Sequence, residues 1–363
     1  MKLCTLSTGD TAYRYYKSIV VLFEAPRKVL STSVMNGGYR EDLTAVFNHD
    51  CNPGAGMACT LRAPTYEEHM RLVATDLGLD PDKATGIGTA ASMDNVSVRK
   101  EQYEDLTVTA LVTGGVEVNG GRVGDPATYY DPIDKTILHK PGTINIILVI
   151  DADLPPGILA RAMVTCTEAK TAALQELMVG SNYSSGLATG SGTDSTIVVA
   201  NPASPLYFES AGKHSKLGEL VGRAVKDAVK EALFRQTKLS PEYQHSTLCR
   251  LKRYGITAER LWQDYQARGK DTVKARFLDC LYGFEREKRL VTYTSLYIHL
   301  LDQHDWGLLS AAEVCAAGKE IIELAGARYC GIEPPVIKSN DSKACLAAWA
   351  ELILAILDSK FQQ

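Results

Sequence analysis

Two histidines are the clearest candidates for proton transfer in this 363-residue chain. His49 follows an apolar run and precedes a Gly/Pro turn, and His214 precedes an amphipathic helical pattern. An unperturbed imidazole titrates near neutral pH, so either ring could act as a general acid or base. Each has a structural alternative. His49 could bond a turn carbonyl, and His214 could be a capping neighbour of Ser215 at a helix start.

Glu168 is a third acid–base candidate, within a predicted helix that opens at Pro155-Pro156. Its neighbours three and four residues away are small or apolar, which predicts a face packed closely against a sheet. A carboxylate buried there would have a raised pKa unless it were paired. The alternative is an ion pair with an Arg or Lys that is distant in sequence.

A glycine-rich segment, residues 186–196, runs directly into the apolar stretch 197–200. Its glycines and small hydroxyl residues allow a sharp turn and a close approach of the backbone to a ligand. Backbone N–H and hydroxyl groups in such a loop suit an oxyanion, a phosphate or an amide-rich ligand. Thr193 could be a nucleophile or a ligand contact, whereas Asp194 could instead hold the turn. A flexible surface loop is the alternative interpretation.

This segment is one of six short motifs that follow one another in a fixed order. The others are NGGYR at 36–40, FNH at 47–49, GTINIIL at 142–148, TEAKTAAL at 167–174 and AGKHSKLGELVG at 211–222. As a set, they resemble the adenosylcobinamide amidohydrolase family over roughly residues 18–236. Ser191 stands where the family more often has threonine, a substitution that retains the hydroxyl.

The resemblance implies hydrolysis of the aminopropanol amide of adenosylcobinamide to adenosylcobyric acid and 1-aminopropan-2-ol, in corrinoid salvage or remodelling. The corrinoid is then a substrate, and no cofactor is implied with certainty. Catalytic roles fall to His49, Glu168, Thr193, Asp194 and His214. Substrate contacts fall to Asn36, Asn48, Asn145, Gly190, Ser191, Gly192 and Lys216. Because a corrinoid is a wide disc, we expect one broad cleft to collect His49, Asn145, Glu168, Thr193, Asp194 and His214.

Two other functions stay open at this point: a corrinoid carrier without turnover, and an amidase of unrelated specificity. A metal site built from His49, Asp50, His214 and Glu168 is disfavoured, since none of the usual ligand spacings is present, and we expect no metal. The Gly-x-x-x-x-Gly-Lys-Ser/Thr loop is also absent, which weighs against a nucleotide-dependent kinase.

Composition limits the classes of protein to which this chain can belong. A net charge of −4 gives no reason to expect nucleic-acid binding. The first residues lack a signal-peptide run and no stretch approaches a membrane span, so we expect a cytoplasmic protein without a membrane partner. Nine cysteines are scattered singly, which is typical of free thiols in a reducing compartment. Cys166 is expected to serve packing rather than nucleophilic chemistry.

The pattern of the first 238 residues mixes strands and helices. Short β-rich runs at 19–24, 28–34 and 43–48 predict an antiparallel meander. A helix at 65–77 has a capping box from Thr65 and Glu68 and a stop at Gly78. Further strands are predicted at 85–90, 96–102, 106–113, 143–150 and 197–200, and further helices at 155–179 and 217–234. The 143–150 strand is almost wholly apolar and β-branched, which predicts burial on both faces.

Beyond residue 240 only helical periodicity remains, at 241–254, 258–267, 272–284, 290–301, 310–326 and 342–360. We therefore predict an α+β fold: a mixed, largely antiparallel sheet covered by helices, followed by an all-helical C-terminal domain. The amidohydrolase domain is expected at 1–238 and the helical domain at 239–363. The helical domain is expected to act as a cap or as a homo-oligomer interface.

Overall fold

The computed structural model describes residues 1–54, 60–127, 142–329 and 334–361. The chain divides into two compact units. The first comprises Met1–Tyr183 and Leu187–Ser240, and the second comprises Ser184–Gly186 and Pro241–Gln363. Sheets and helices build the first unit and helices build the second, so the predicted α+β class is confirmed.

The described part of the first unit contains the strands β1 (Lys2–Thr5), β2 (Thr11–Tyr15), β3 (Ser18–Leu22), β4 (Lys28–Ser31), β5 (Gly38–Arg40), β6 (Ala45–Asp50), β7 (Ala84–Thr89), β8 (Ser97–Tyr103), β9 (Leu106–Gly114), β10 (Gly120–Gly121), β11 (Ile144–Ile150), β12 (Gly190–Ser191) and β13 (Ser195–Ala200). Sheet A has the order β1-β2-β3-β6-β7, and sheet B has the order β5-β4-β13-β11-β9-β8. Strands β10 and β12 form a small third sheet. Only the β6–β7 and β11–β13 pairs in the described residues are parallel.

The predicted meander is wrong. Strand β3 pairs with β6 in sheet A, but β4 lies in sheet B and pairs with β13. The strands thus form two main sheets where one mixed sheet was expected. Alternating side chains predict where a strand occurs, but the partner is chosen by contacts between segments that are distant in sequence.

Three helices flank these sheets: α1 (Tyr66–Asp76), α2 (Pro156–Glu176) and α3 (Lys216–Thr237). Sheets A and B pack face to face through an aliphatic cluster that includes Val21, Val46, Ile87, Ile147 and Val199. Helix α1 covers the outer face of sheet A, and α2 and α3 cover the outer face of sheet B. The result is a four-layer α/β/β/α sandwich.

Strand β11 lies in the middle of this sandwich, and all of its residues are buried. Ile146 and Leu148 face α2 and α3, whereas Ile147 and Val149 face sheet A. The predicted burial of this strand on both faces is confirmed. Asn145 shares the sheet A face because it alternates with its neighbours along the strand.

Helix α1 begins and ends where the sequence indicates. The Thr65 side chain accepts from the Glu68 N–H, and the Glu68 side chain accepts from the Thr65 N–H, which completes the capping box. Gly78 follows the helix with φ +74°, a left-handed conformation that glycine adopts without steric cost. The predicted boundaries of this helix are confirmed.

The second unit is helical throughout its described residues. Its helices are α4 (Pro241–Gln244), α5 (Thr247–Leu251), α6 (Ala258–Gln266), α7 (Lys274–Phe284), α8 (Lys288–Asp305), α9 (Ala311–Tyr329) and α10 (Ser342–Phe361). The single helix predicted at 241–254 is broken, because Ser246 leaves the helical conformation and caps α5. Trp349, Tyr297 and Phe277 lie in the core. Nowhere in the described ranges is a helix both long and apolar enough to span a bilayer.

Candidate active site

One end of the sandwich collects the largest group of predicted site residues. His49, near the end of β6, lies opposite Gly88 near the end of β7. Asn145, near the start of β11, lies opposite Ser195 on one side and Thr113 on the other. We call this end, where β6, β7 and β9 finish and β11 and β13 begin, the site edge.

Two buried asparagines join the sheets at the site edge. The Asn145 Nδ2 donates to Asn48 Oδ1 at 2.8 Å and to the Gly88 carbonyl at 3.0 Å. The Asn48 Nδ2 donates to Thr113 Oγ1 at 2.8 Å. The Asn145 Oδ1 is buried and accepts no hydrogen bond from any residue that the structure describes. A buried acceptor without a partner costs about 1–3 kcal/mol, so this oxygen would gain from a further hydrogen bond.

The tautomer of His49 follows from a short chain of hydrogen bonds. The Ser18 hydroxyl donates to the Tyr16 carbonyl at 3.3 Å, and its oxygen lies 2.7 Å from His49 Nδ1. Ser18 has one proton to give, and when the Tyr16 carbonyl receives it, His49 Nδ1–H donates to Ser18. The Nε2 atom is then left as a proton acceptor.

His49 is held in the neutral form. Burial, followed by the positive charges of His69, Lys17 and Arg62, lowers the pKa of His49 to about 4. Desolvation disfavours the imidazolium, and the nearby cations add to this effect. His49 is therefore uncharged at neutral pH.

His69 on α1 faces His49, with ring centroids 6.4 Å apart. Its Nδ1 accepts from the Arg62 N–H at 3.1 Å, so its proton is on Nε2, a buried atom without a hydrogen-bond partner among the described residues. Burial and Arg62 lower the pKa of His69. We did not predict a site role for this residue. Its helical spacing with Val73 places it on the apolar face of α1, where a histidine usually serves packing.

The glycine-rich segment is a rigid turn organised by Asp194. Its Oδ1 accepts from the Ile144 N–H at 2.8 Å and the Ser191 hydroxyl at 2.7 Å. Its Oδ2 accepts from the Ser191 N–H at 3.0 Å and forms an ion pair with Lys170. The side chains of Asp194 and Lys170 are 12% and 11% exposed. With its oxygens occupied in this way, Asp194 acts as the support of the turn.

Two threonines attach this turn to β11. The Thr143 hydroxyl donates to the Thr193 carbonyl at 2.6 Å, and the Thr193 hydroxyl donates to the Gly142 carbonyl at 3.2 Å. Gly190 has no space for a side chain, because a Cβ there would lie 2.4 Å from Asp194 Oδ2 and 2.8 Å from Lys170 Nζ. The glycine is therefore required for the ion pair. The ion pair between Lys170 and Asp194 was not predicted, because the two residues are distant in sequence.

The expected burial of Glu168 is wrong. Its side chain is 41% exposed and pairs with Lys213 at 3.2 Å. The buried stripe of α2 passes through Ala162, Cys166 and Ala169, and Glu168 lies on another side of the helix. The alternative, an ion pair with a residue distant in sequence, is the one found.

His214 is exposed in the turn before α3. The adjacent Ser215 caps that helix by accepting from the Gly218 N–H at 3.0 Å, so His214 is the capping neighbour that the alternative described. Glu168 and His214 lie near each other through Lys213, and their described contacts do not reach the asparagine network.

Asn36 and Lys216 lie away from the site edge. The Asn36 Nδ2 donates to the carbonyls of Pro81 and Ala84, and Ala84 begins β7 at the end opposite Gly88. Lys216 pairs with Glu219, and its Nζ is 4.6 Å from the centre of the Tyr103 ring. The structure thus brings together Asn48, Asn145 and the turn of Gly190, Ser191, Gly192, Thr193 and Asp194, but neither Asn36 nor Lys216. His49 lies at the same edge but projects from the other face of sheet A, toward His69 on α1.

Cys166 is fully buried, and burial raises the pKa of its thiol to about 12. A thiol with that pKa is not a nucleophile at neutral pH, which confirms the packing role. In the described ranges, no group of three or more His, Cys, Asp or Glu side chains is arranged to hold a metal ion.

The lowered pKa of His49 predicts a dependence of stability on pH. The unfolded imidazole takes up a proton as the pH falls below about 6.5, whereas the folded one does so only near 4. The free energy of unfolding is therefore not reduced by protonation of His49 above pH 6.5. This free energy falls progressively as the pH drops from 6.5 to about 4. Urea unfolding between pH 7 and 4 should show a smaller loss for His49→Gln than for the native chain. An equal loss in both proteins would contradict the assignment.

Comparison with known proteins agrees with the motifs. The sequence model of the adenosylcobinamide amidohydrolase family matches residues 3–241. An uncharacterized protein of Methanocaldococcus jannaschii is 36% identical over 234 residues, which are 61% of this chain and 88% of that protein. The adenosylcobinamide amidohydrolase of Methanosarcina mazei is 29% identical over 227 residues, which are 60% of this chain and 96% of that protein.

A crystal structure from Pyrococcus horikoshii aligns with 61% of this chain and 77% of that one at 14% identity, but its TM-score of 0.28 is too low to indicate a shared fold. The family match covers well over half of the chain, and it includes every residue of the site edge. The chain therefore belongs to the adenosylcobinamide amidohydrolase family.

Proposed function

We propose that this protein hydrolyses the aminopropanol amide of adenosylcobinamide to adenosylcobyric acid and 1-aminopropan-2-ol, in corrinoid salvage. The family match and the name of the Methanosarcina relative support this reaction. The observation that carries it is the site edge, where an amide network and a rigid glycine turn lie beside strand β6, which also carries a neutral histidine.

In the proposed reaction, His49 is the general base. Its Nε2 removes a proton from water as the water oxygen bonds to the amide carbon, while the hydrogen bond to Ser18 fixes the orientation of the ring. The resulting imidazolium returns the proton to the departing nitrogen. The C–N bond then breaks, leaving a carboxylate and a protonated amine. A ring that is neutral at rest is ready for this cycle.

The glycine turn and the asparagines have supporting roles in this proposal. The turn, held by Asp194 and Lys170, offers backbone N–H groups to the oxyanion of the tetrahedral intermediate. The unpaired Asn145 Oδ1 accepts from an N–H of the substrate, and Asn48 fixes the Asn145 amide in that orientation. Thr193 is a substrate contact rather than a nucleophile, because its hydroxyl donates to the Gly142 carbonyl.

The direct test is incubation of the purified protein with adenosylcobinamide, followed by mass spectrometry. We expect equal amounts of adenosylcobyric acid and 1-aminopropan-2-ol. Activity on simple amides without activity on corrinoids would identify an amidase of other specificity. Tight binding that leaves the corrinoid unchanged, with or without added metal ions, would identify a carrier and overturn the proposal.

Two further parts of the proposal concern context. We propose the cytoplasm as the compartment, since all the described cysteines are free thiols, as expected under reducing conditions. We also propose that the amidohydrolase domain comprises residues 1–238 and that the helical residues 239–363 form a cap or a homo-oligomer interface. Removal of the helical residues would then change corrinoid affinity or oligomeric state.

A further inference from the structure

A row of residues crosses sheet A at the site edge. In the strand register, Tyr15 lies opposite Ser18, Ser18 lies opposite His49, and His49 lies opposite Gly88. Residues directly opposite one another in paired strands project from the same face. Tyr15 therefore shares a face with His49. Two strand spacings separate them, which is about 10 Å.

Tyr15 and the adjacent Tyr16 expose their rings. They are 52% and 66% exposed, and their ring centroids are 4.5 Å apart in an edge-on arrangement. Large aromatic side chains dominate the energetics of binding when they become buried. Two exposed rings in contact, next to a candidate catalytic group, form a continuous aromatic surface.

The turn that carries Tyr16 has an unfavourable backbone conformation. Tyr16 and Lys17 have φ values of 45° and 56°, in the left-handed region that glycine and asparagine prefer at such hairpin turns. A bulky residue is rare there. The conformation is anchored nevertheless, because Lys17 donates to the Asn52 carbonyl and Ser18 donates to the Tyr16 carbonyl. Strain that the surrounding contacts hold in place is typical of functional sites.

We propose that Tyr15 and Tyr16 form a stacking surface for the purine of the adenosyl group, and so select the adenosylated substrate. This inference rests on the proposed function. A purine is a planar ring that stacks on aromatic side chains. A substrate whose purine stacks on Tyr15 can place its scissile amide at His49 if the purine and the amide are about 10 Å apart. A wide, disc-shaped substrate allows that separation.

The test uses the double variant Tyr15→Thr, Tyr16→Asn. Threonine suits an exposed strand position and asparagine suits a positive φ, so both rings are removed while the hairpin is retained. The two substrates are adenosylcobinamide and cyanocobinamide, which lacks the purine. Loss of stacking should raise the KM for adenosylcobinamide about tenfold or more, with kcat little changed. The KM for cyanocobinamide should stay the same.

The matched control is Tyr103→Ala, which removes a ring that is 47% exposed at the opposite end of sheet B from the site edge. It should leave both KM values unchanged. If the native protein hydrolyses adenosylcobinamide and the double variant keeps its preference for that substrate, the stacking inference is overturned and the proposed function stands. If the native protein releases no product, the proposed function is overturned, and the stacking inference must be tested by binding alone. Equilibrium dialysis of the same two corrinoids then shows whether the rings still select the purine.

Discussion

Replacing His49 by glutamine is expected to lower kcat by about 10²-fold or more, the usual contribution of a general base. Glutamine fills a similar volume and can keep the hydrogen bond to Ser18, but it cannot accept a proton at neutral pH. Steady-state turnover of adenosylcobinamide measures the loss, and circular dichroism confirms that the fold is retained. The relief of a costly buried imidazole should leave the variant at least as stable at acidic pH.

The matched controls for this variant are His214→Gln and Glu168→Gln. Both residues were predicted to be catalytic, but the structure places them on the surface, where Glu168 pairs with Lys213. An exposed ion pair contributes about 0–1 kcal/mol, so we expect both variants to fold normally and to keep most of the activity. A large loss of activity in either control, together with full activity of His49→Gln, would show that the catalytic centre lies at the surface of α2.

The Gly190→Ala substitution is expected to destabilise the first unit by about 3 kcal/mol, the scale for breaking a buried ion pair. A methyl group at that position meets Asp194 Oδ2 at 2.4 Å and Lys170 Nζ at 2.8 Å, so the pair must separate. Separation leaves two charges buried without partners, and the Ile144 and Ser191 N–H groups lose their acceptor. Urea unfolding measures the change, and the distorted turn should also lower kcat.

Gly222→Ala is the matched control, because a Cβ at Gly222 has nothing within 4 Å. Gly222 lies in the interior of α3, where alanine is favoured over glycine by about 0.5–1 kcal/mol. We expect this control to be slightly more stable than the native protein. Equal unfolding midpoints for Gly190→Ala and the native protein would show that the turn tolerates a side chain and that the ion pair is not essential.

Features that depend on a few consecutive residues were predicted well from the sequence. The capping box of α1 involves Thr65 and Glu68 alone, so its hydrogen bonds are decided locally. The strand at β11 has apolar side chains on both faces, a pattern that only burial between two layers explains. The hydrogen bond between Asn145 and Asn48 joins two residues of different family motifs at strand ends.

Features that depend on distant pairing could not be predicted. The pairing of Lys170 with Asp194 requires α2 to pack beside the glycine turn. No pattern of neighbouring residues in the sequence predicts that packing. Glu168 shows the same limit. Small residues occur nearly all round α2, so its sequence leaves the buried face undefined, and the sheet decides it. His69 was missed because an apolar helix face is the ordinary place for a structural histidine.

The pairing of β4 with β13 has a consequence for synthesis on the ribosome. Lys28 lies opposite Ala200, so β4 leaves the ribosome long before its partner exists. At about 5–20 residues per second, the delay is roughly 10–30 s. During that time the edge of β4 is open to other chains, and chaperone protection would be most useful then. Because Asp194 and β13 leave the ribosome after every other strand of sheet B, the turn at the site edge can form only late in synthesis.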